Sequence, residues 1–343
     1  MPPVDFGFVM ITSFQAGLSR RHFLECLAVA ASFAALPARA ASLDHLTVWG
    51  MPASPSVVLA RAVASGALAS LVEDAKFDVW RTADQMRAGV VSGDIALFAS
   101  PTYAAANLFN RGAGVRLVNV LTWGLLYIFA GQDVRLEKLE NLKGKTLLIG
   151  AKNDAPDLLT RFVLRSAGID PEKDLTLSYV GTSAEAVPLL LAGKADAAVL
   201  PEPAASAAEI KSKQAGIAVT RALDVTELYA AQSGRSTGIP QAGLAVTEKF
   251  LAAHPEIVAA LHAASLEAAG WVGQNPKAAA ALIADSLKLP APIVEASLPR
   301  FRLKVASAMD AKADIEAYFQ ALMTLSPDIV AGRLPEPVFY WGS

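Results

Sequence analysis

The 343-residue chain is 53% hydrophobic and 18% charged, with one cysteine and a formal net charge of −2. That balance argues against a nucleic-acid binder, which shows a basic excess or stripe, and a lone cysteine rules out a disulfide framework. The length is ample for a core and close to the size at which one core divides into two.

Near the start, residues 19–40 read SRRHFLECLAVAASFAALPARA. Arg20 and Arg21 supply a basic region, residues 26–36 an uncharged run, and Ala38-Arg39-Ala40 small residues around a cleavage point. These are the parts of a secretory signal peptide. Eleven residues rise only ~16 Å as a helix, against a hydrocarbon core of about 30 Å, so the run does not span a bilayer. Ser19-Arg20-Arg21-x-Phe23-Leu24 resembles the twin-arginine export signal, whose pathway carries folded proteins. An ordinary signal with two chance arginines is the competing reading. Leu24-Glu25 ahead of Cys26 does not suit a lipid anchor, and residues 1–18 read as an over-long start or a leader extension. The expectation is a leader over residues 1–40, cleaved near Ala40, and a cysteine-free mature protein in the periplasm.

Beyond the leader, short Val/Ile/Leu runs alternate with Ala-rich helical stretches, the pattern of an α/β protein with mostly parallel strands. Residues 46–49 predict a strand, and Val57, Val58, Ala60, Arg61 and Ala64 recur at helical spacing after Pro55. A strand at 77–80, a helix at 82–91 and a strand at 95–99 follow. Residues 117–132 are uncharged but contain Asn119, Thr122 and Gln132, and read as a buried pair of strands rather than a membrane span.

The layout then repeats. Residues 146–150 predict a strand and 156–167 a helix. Asp94-Ile95-Ala96-Leu97-Phe98-Ala99-Ser100-Pro101 matches Asp196-Ala197-Ala198-Val199-Leu200-Pro201-Glu202-Pro203 at the aspartate, an alanine, an apolar pair and the final proline, 102 positions later. In both copies a glycine ends a helix, an aspartate opens a strand and proline starts the next helix, where its missing N–H costs nothing. Two similar lobes follow: lobe 1 from residues 41–132 and 238–343, with a strand at 243–246 and a helical C-terminal tail, and lobe 2 from 133–237. Two crossings between them make a hinge.

Gly93-Asp94-Ile95-Ala96, the 142–150 string Leu-Lys-Gly-Lys-Thr-Leu-Leu-Ile-Gly, the 191–199 string Leu-Ala-Gly-Lys-Ala-Asp-Ala-Ala-Val, and Glu202-Pro203 carry a family resemblance in this order. The sequence resembles the solute-binding proteins of ABC importers, in the branch of sulfonate, taurine, nitrate and thiamine-precursor binders. The resemblance implies an α/β two-lobed type II periplasmic binding fold, with a small-molecule ligand in the cleft between lobes and delivery to an ABC permease in the inner membrane. It implies a monomer with no cofactor, no metal and no nucleic acid. The alternatives are a ligand-sensing subunit of a membrane signalling receptor and an enzyme on the same fold. Against the enzyme, no P-loop, His-Glu-x-x-His or Cys-x-x-Cys occurs. Pyrimidine-forming relatives carry a cysteine-rich motif that a cysteine-free mature chain cannot have. His254 and His262, eight residues apart on a helical segment, read as a solvated face rather than metal ligands.

In open α/β sheets ligands sit beyond the carboxyl ends of strands. The candidates there are Trp49, Met51, Ser54, Ser100, Thr102, Trp123, Asn153, Asp154 and Glu202, with Gln241 at the return crossing. Ser54, Ser100 and Asp154 read equally as helix N-caps. Glu202 between two prolines reads as a helix-dipole partner as well as a ligand group. Trp49 and Tyr127 suit the core as well as a cleft, and Trp123, flanked by Thr122 and Gly124, is the preferred cleft aromatic. Lys152 is the only basic residue in these segments, so the expected solute is a neutral or weakly basic one with a planar part held on Trp49, Trp123 and Tyr127, rather than a small inorganic anion.

Overall fold

The computed structural model describes residues 43–342, and the export-signal reading of residues 1–40 lies outside them. Strand β1 (Leu43–Gly50) leads through a 3-10 turn at Ser54–Ser56 into helix α1 (Val57–Ala64). Then come β2 (Val72–Val79), α2 (Ala83–Ser92), β3 (Leu97–Pro101), α3 (Thr102–Asn110) and β4 (Val115–Thr122). β1 pairs in parallel with β2 and β3. Local chemistry sets the ends: the Thr82 hydroxyl accepts the Gln85 N–H at the start of α2, and Gly93 ends it with φ 90°, a left-handed conformation that costs glycine little. Pro101 and Pro203 open α3 and its counterpart in the second copy.

The chain then changes lobe. β5 (Leu126–Ala130), β6 (Thr146–Gly150), α4 (Ala155–Ser166), β7 (Thr176–Val180), α5 (Ser183–Leu191), β8 (Ala197–Pro201), α6 (Ala204–Ala215), β9 (Thr220–Asp224) and α7 (Val225–Ser233) form the second lobe. Its sheet runs β7-β6-β8-β5-β9, with β5 antiparallel to both neighbours. The return strand β10 (Ala242–Thr247) inserts antiparallel between β3 and β4. The tail follows as α8 (Glu248–Ala253), α9 (Pro255–Gln274), α10 (Pro276–Leu287), α11 (Ala291–Ser297), β11 (Leu303–Ser307) and α12 (Lys312–Met323). The first sheet is therefore β11-β4-β10-β3-β1-β2.

Two expectations change here. The stretch 117–132 does form two buried strands, but β4 and β5 lie in different sheets. The first crossing is thus Trp123 to Leu125, ahead of the expected boundary at 132/133, and the charged segment at 133–142 lies within the second lobe. The C-terminal tail also contributes a strand, β11, that periodicity did not single out.

The two crossings are neighbours. Ile239 N–H donates to the Trp123 carbonyl (2.8 Å) and Gln241 N–H to the Thr122 carbonyl (3.1 Å). Gly238 has φ 100°, and a Cβ there would lie 2.4 Å from the Trp123 carbonyl oxygen. The tail ties the lobes further, with α11 against α6 and α12 against α4. Arg302 reaches Asp224 at 2.8 Å, and Arg235 reaches Asp314 at 2.7 Å.

Apolar layers cover both faces of the first sheet, as the period-two alternation of β3 requires. Leu97 and Ala99 pack with Val58, Leu261 and Ile283 from α1, α9 and α10, whereas Phe98 packs with Met86 and Ala105 from α2 and α3. His262 belongs to this interior rather than to a solvated face. Its Nδ1 lies 3.2 Å from Asn119 Nδ2, its ring meets Trp341 edge-on, and burial pushes its pKa below the ordinary value. His254 lies tilted against Phe250, ring centres 5.0 Å apart, at the junction of α8 and α9.

Candidate ligand-binding cleft

Strand ends of both sheets meet between the lobes. A cavity of about 520 Å³ is walled by Met51, Pro52 and Ala53 after β1, by Leu125 in the crossing, by Ser183, Ala184 and Val187 at the start of α5, and by the segment 201–204 after β8. Leu287, Leu289 and Ile293 from the α10–α11 turn close it. Its walls are mostly apolar, with Glu202 and Lys211 as charged members. A second, more polar cavity of about 680 Å³ has Trp80, Arg87, Tyr103 and Arg111 on one side, Asn153 and Asp154 on the other, and Asp328 from the tail. Both volumes lie in the range of small-molecule sites.

The ten expected site residues divide between cleft and interior. Met51 and Glu202 line the first cavity, and Asn153 and Asp154 line the second. Ser54 is fully buried, with its hydroxyl 3.0 Å from that of Ser297 in α11, so it fastens the tail to the β1 loop and does not cap a helix. Ser100 is buried and its hydroxyl donates to the Pro101 carbonyl; it caps nothing either. Thr102 donates its hydroxyl to the Pro240 carbonyl at 2.6 Å, binding α3 to the return crossing. Gln241 lies in that crossing, and its buried Oε1 has no protein partner. Trp49 packs against the α2–α3 side of the first sheet, and its buried Nε1 likewise has none.

The aromatic expectation fails for Trp123 and Tyr127. Trp123 is 4% exposed, and its Nε1 donates to the Lys304 carbonyl at 2.7 Å. Strand β11 covers it, a long-range pairing with no local signal. Tyr127 is buried, donates to the Arg300 carbonyl and carries the Arg221 guanidinium 4.1 Å above its ring. Burial, with Asp224 nearby, raises its pKa to about 12. Neither ring lines either of these two cavities.

Asp154 is a true N-cap, accepting the Ala155 N–H at 2.9 Å. The same oxygen accepts the Tyr103 hydroxyl at 2.5 Å, a bond from lobe 1 to lobe 2. Asn153, at φ 63°, accepts from Arg161, whose guanidinium also holds the buried Asp157. Glu202 is 3% exposed, accepts the Ser206 N–H at 3.0 Å and pairs with Arg221 at 2.7 Å. Burial raises its pKa, and Arg221 opposes that shift. Arg221 is shared with Glu209, so Glu202 serves chiefly to anchor α6 and β9 behind the cavity wall.

Sequence reading missed Arg87, Arg111 and Lys211, which reach the cavities from helices rather than from strand ends, and the α10–α11 wall, which arrives from far along the chain. One string, Gly234-Arg235-Ser236-Thr237-Gly238, matches the Gly-x-Ser-x-Gly pattern of hydrolases. It follows helix α7 and enters the return crossing, whereas a nucleophile elbow turns from strand to helix. Among the described residues there is no group of three His, Cys, Asp or Glu placed to hold a metal ion, and no helix long and apolar enough to cross a membrane.

Two α/β lobes, two adjacent crossings and a cleft at the strand ends define a two-lobed type II periplasmic binding protein fold. Residues 57–287 match the NMT1-like family, and the chain belongs to that family. Solved structures agree on the fold. An ABC transporter protein from Parabacteroides distasonis superposes with a TM-score of 0.71 at 22% identity, over 87% of this chain and 98% of that one. The periplasmic aliphatic sulphonate binding protein SsuA from Escherichia coli gives 0.69 at 19% identity, over 88% and 93%. The periplasmic nitrate-binding protein NrtA from Synechocystis PCC 6803 gives 0.57 at 14%, over 86% and 92%. No sequence among the curated proteins matches significantly.

Proposed function

We propose that this chain is the exported solute-binding component of an ABC import system, which takes a small organic solute into the interlobe cleft and hands it to an inner-membrane permease. It acts as a carrier and not as an enzyme. The observation behind this reading is the 520 Å³ cavity, whose walls come from both lobes and are mostly apolar. A ligand shifts a hinge only if it contacts the closed form better than the open one, and walls from both lobes meet that condition. An apolar wall of Met51, Leu125, Val187 and Ile293 favours a solute with an organic body over a bare inorganic anion, because Lys211 is the single cation among the described residues lining this cavity and Glu202 carries the opposite charge. The planar-heterocycle expectation loses its Trp123–Tyr127 platform, so planarity is not required.

Thermal shift against nitrate, short alkanesulfonates and neutral heterocycles tests the reading. At a hundredfold excess over Kd a bound solute adds about 2.7 kcal/mol, so an organic member should raise Tm by several degrees and nitrate should not. Val187→Trp, which fills the cavity, should abolish the shift. A shift from nitrate alone, or one indifferent to Val187→Trp, would place the site elsewhere.

Export is the second part of the proposal and rests on Arg20 and Arg21. Replacing both by lysine keeps the charge and removes the twin-arginine address. A folded precursor should then accumulate in the cytoplasm of a Gram-negative host. Undiminished mature protein in the periplasm would rule out that route.

A further inference from the structure

The hydrogen bond between Tyr103 and Asp154 joins the two lobes directly. Tyr103 stands in the first turn of α3, on lobe 1, and Asp154 caps α4, on lobe 2. At 2.5 Å the phenol donates to a carboxylate, a charge-assisted bond of the strong class. Burial and the facing carboxylate hold the Tyr103 pKa well above the ordinary phenol value, so the donor keeps its proton at physiological pH.

The tail packs beside this pair. Tyr318 from α12 is fully buried close to Asp154, and its hydroxyl has no protein partner. Two tyrosines, Tyr103 from lobe 1 and Tyr318 from the tail, thus face one carboxylate of lobe 2. Of the other ties between lobes, Arg302 to Asp224 and Tyr127 to the Arg300 carbonyl reach the segment that leads into β11, and Arg235 to Asp314 reaches α12. Tyr103–Asp154 instead spans the mouth between α3 and α4, at the edge of the 680 Å³ cavity. A motion that parts α3 from α4 must break it.

We propose that Tyr103 and Asp154 form a latch that populates the closed arrangement before any solute arrives. The latch rests on the two-lobed reading but not on any particular solute. A ligand that binds the closed form gains apparent affinity in proportion to how much of that form pre-exists. Tyr103 is therefore a positioning residue, acting through the lobe equilibrium.

Small-angle scattering on the solute-free full-length chain tests this, with wild type, Tyr103→Phe and Asp154→Asn compared. Phenylalanine keeps the ring and deletes the donor. Loss of a hydrogen bond to a charged group should move the closed-to-open ratio about tenfold toward open, seen as a larger radius of gyration and a broader distance distribution. Asp154→Asn keeps an accepting oxygen and the helix cap, and should fall between the two. It also carries the test should Tyr103→Phe prove unstable by circular dichroism. Superimposable scattering from wild type and both variants would overturn the latch. Because no solute is added, failure of the ligand proposal leaves this result intact, and the converse also holds.

Discussion

Arg221→Ala should lower the unfolding free energy by about 3–5 kcal/mol, the usual cost of leaving one partner of a buried ion pair uncompensated. Arg221 faces Glu202 at 2.7 Å and Glu209 at 3.0 Å and stacks on Tyr127, with both Arg221 and Glu202 almost wholly buried. Truncation strands the Glu202 carboxylate, which burial already pushes above its ordinary pKa of 4.5. The sign of the pH dependence follows. A folded-state pKa above the unfolded value means that the native form binds the extra proton, so this group favours folding at low pH and loses that contribution as pH rises through the folded pKa. The deficit of Arg221→Ala should therefore be larger at pH 8 than at pH 5 in urea denaturation. Adding Glu202→Gln should recover a substantial part of it. A deficit under about 1 kcal/mol, or one flat with pH, would contradict the buried-pair account.

Gly238→Ala should be the most damaging small substitution in the hinge. A residue other than glycine at φ 100° carries about 1–3 kcal/mol of backbone strain. Its Cβ also meets the Trp123 carbonyl oxygen at 2.4 Å, and that oxygen accepts the Ile239 N–H, so the two crossings must separate. Gly124→Ala provides the contrast. There the added methyl meets the Thr226 and Arg302 side chains, which can rotate away more cheaply than a peptide can move. Calorimetry should find Gly238→Ala losing several degrees more in Tm than Gly124→Ala. Equal losses would mean that the contact between crossings does not limit the hinge.

The features legible in the sequence were those with a local physical cause. The strand at Thr146–Gly150 and the helix after Thr82 announced themselves through apolar runs and a cap residue, and the repeat showed because glycine, aspartate and proline each do something specific at a helix end, a strand start and a helix start. The crossing at Trp123 to Leu125 was hidden because β4 and β5 are both buried, and the change of sheet between them leaves no polar gap. Trp123 looked like a cleft residue because its flanking Thr122 and Gly124 mark a strand end, whereas what covers it, β11, lies some 180 positions later. Ser54 and Thr102 have the right type for a ligand hydroxyl, but long-range acceptors at Ser297 and Pro240 occupy them. Asp154 could be read as a cap from its neighbours. Its bond to Tyr103 could not.

Strand β4 has both of its neighbours, β10 and β11, in the last third of the chain. During synthesis it leaves the ribosome with two open edges, and it keeps them while the whole second lobe is made. At about 5–20 residues per second that interval is many seconds, long enough for unpaired strand edges to find a neighbouring nascent chain. The second lobe is continuous in sequence and can close first, bringing Thr122 and Gln241 together as rungs of one ladder. Only then does the first lobe acquire its central strand. A chain of this topology threaded unfolded through a membrane would present its N-terminal half without the strands that seal it.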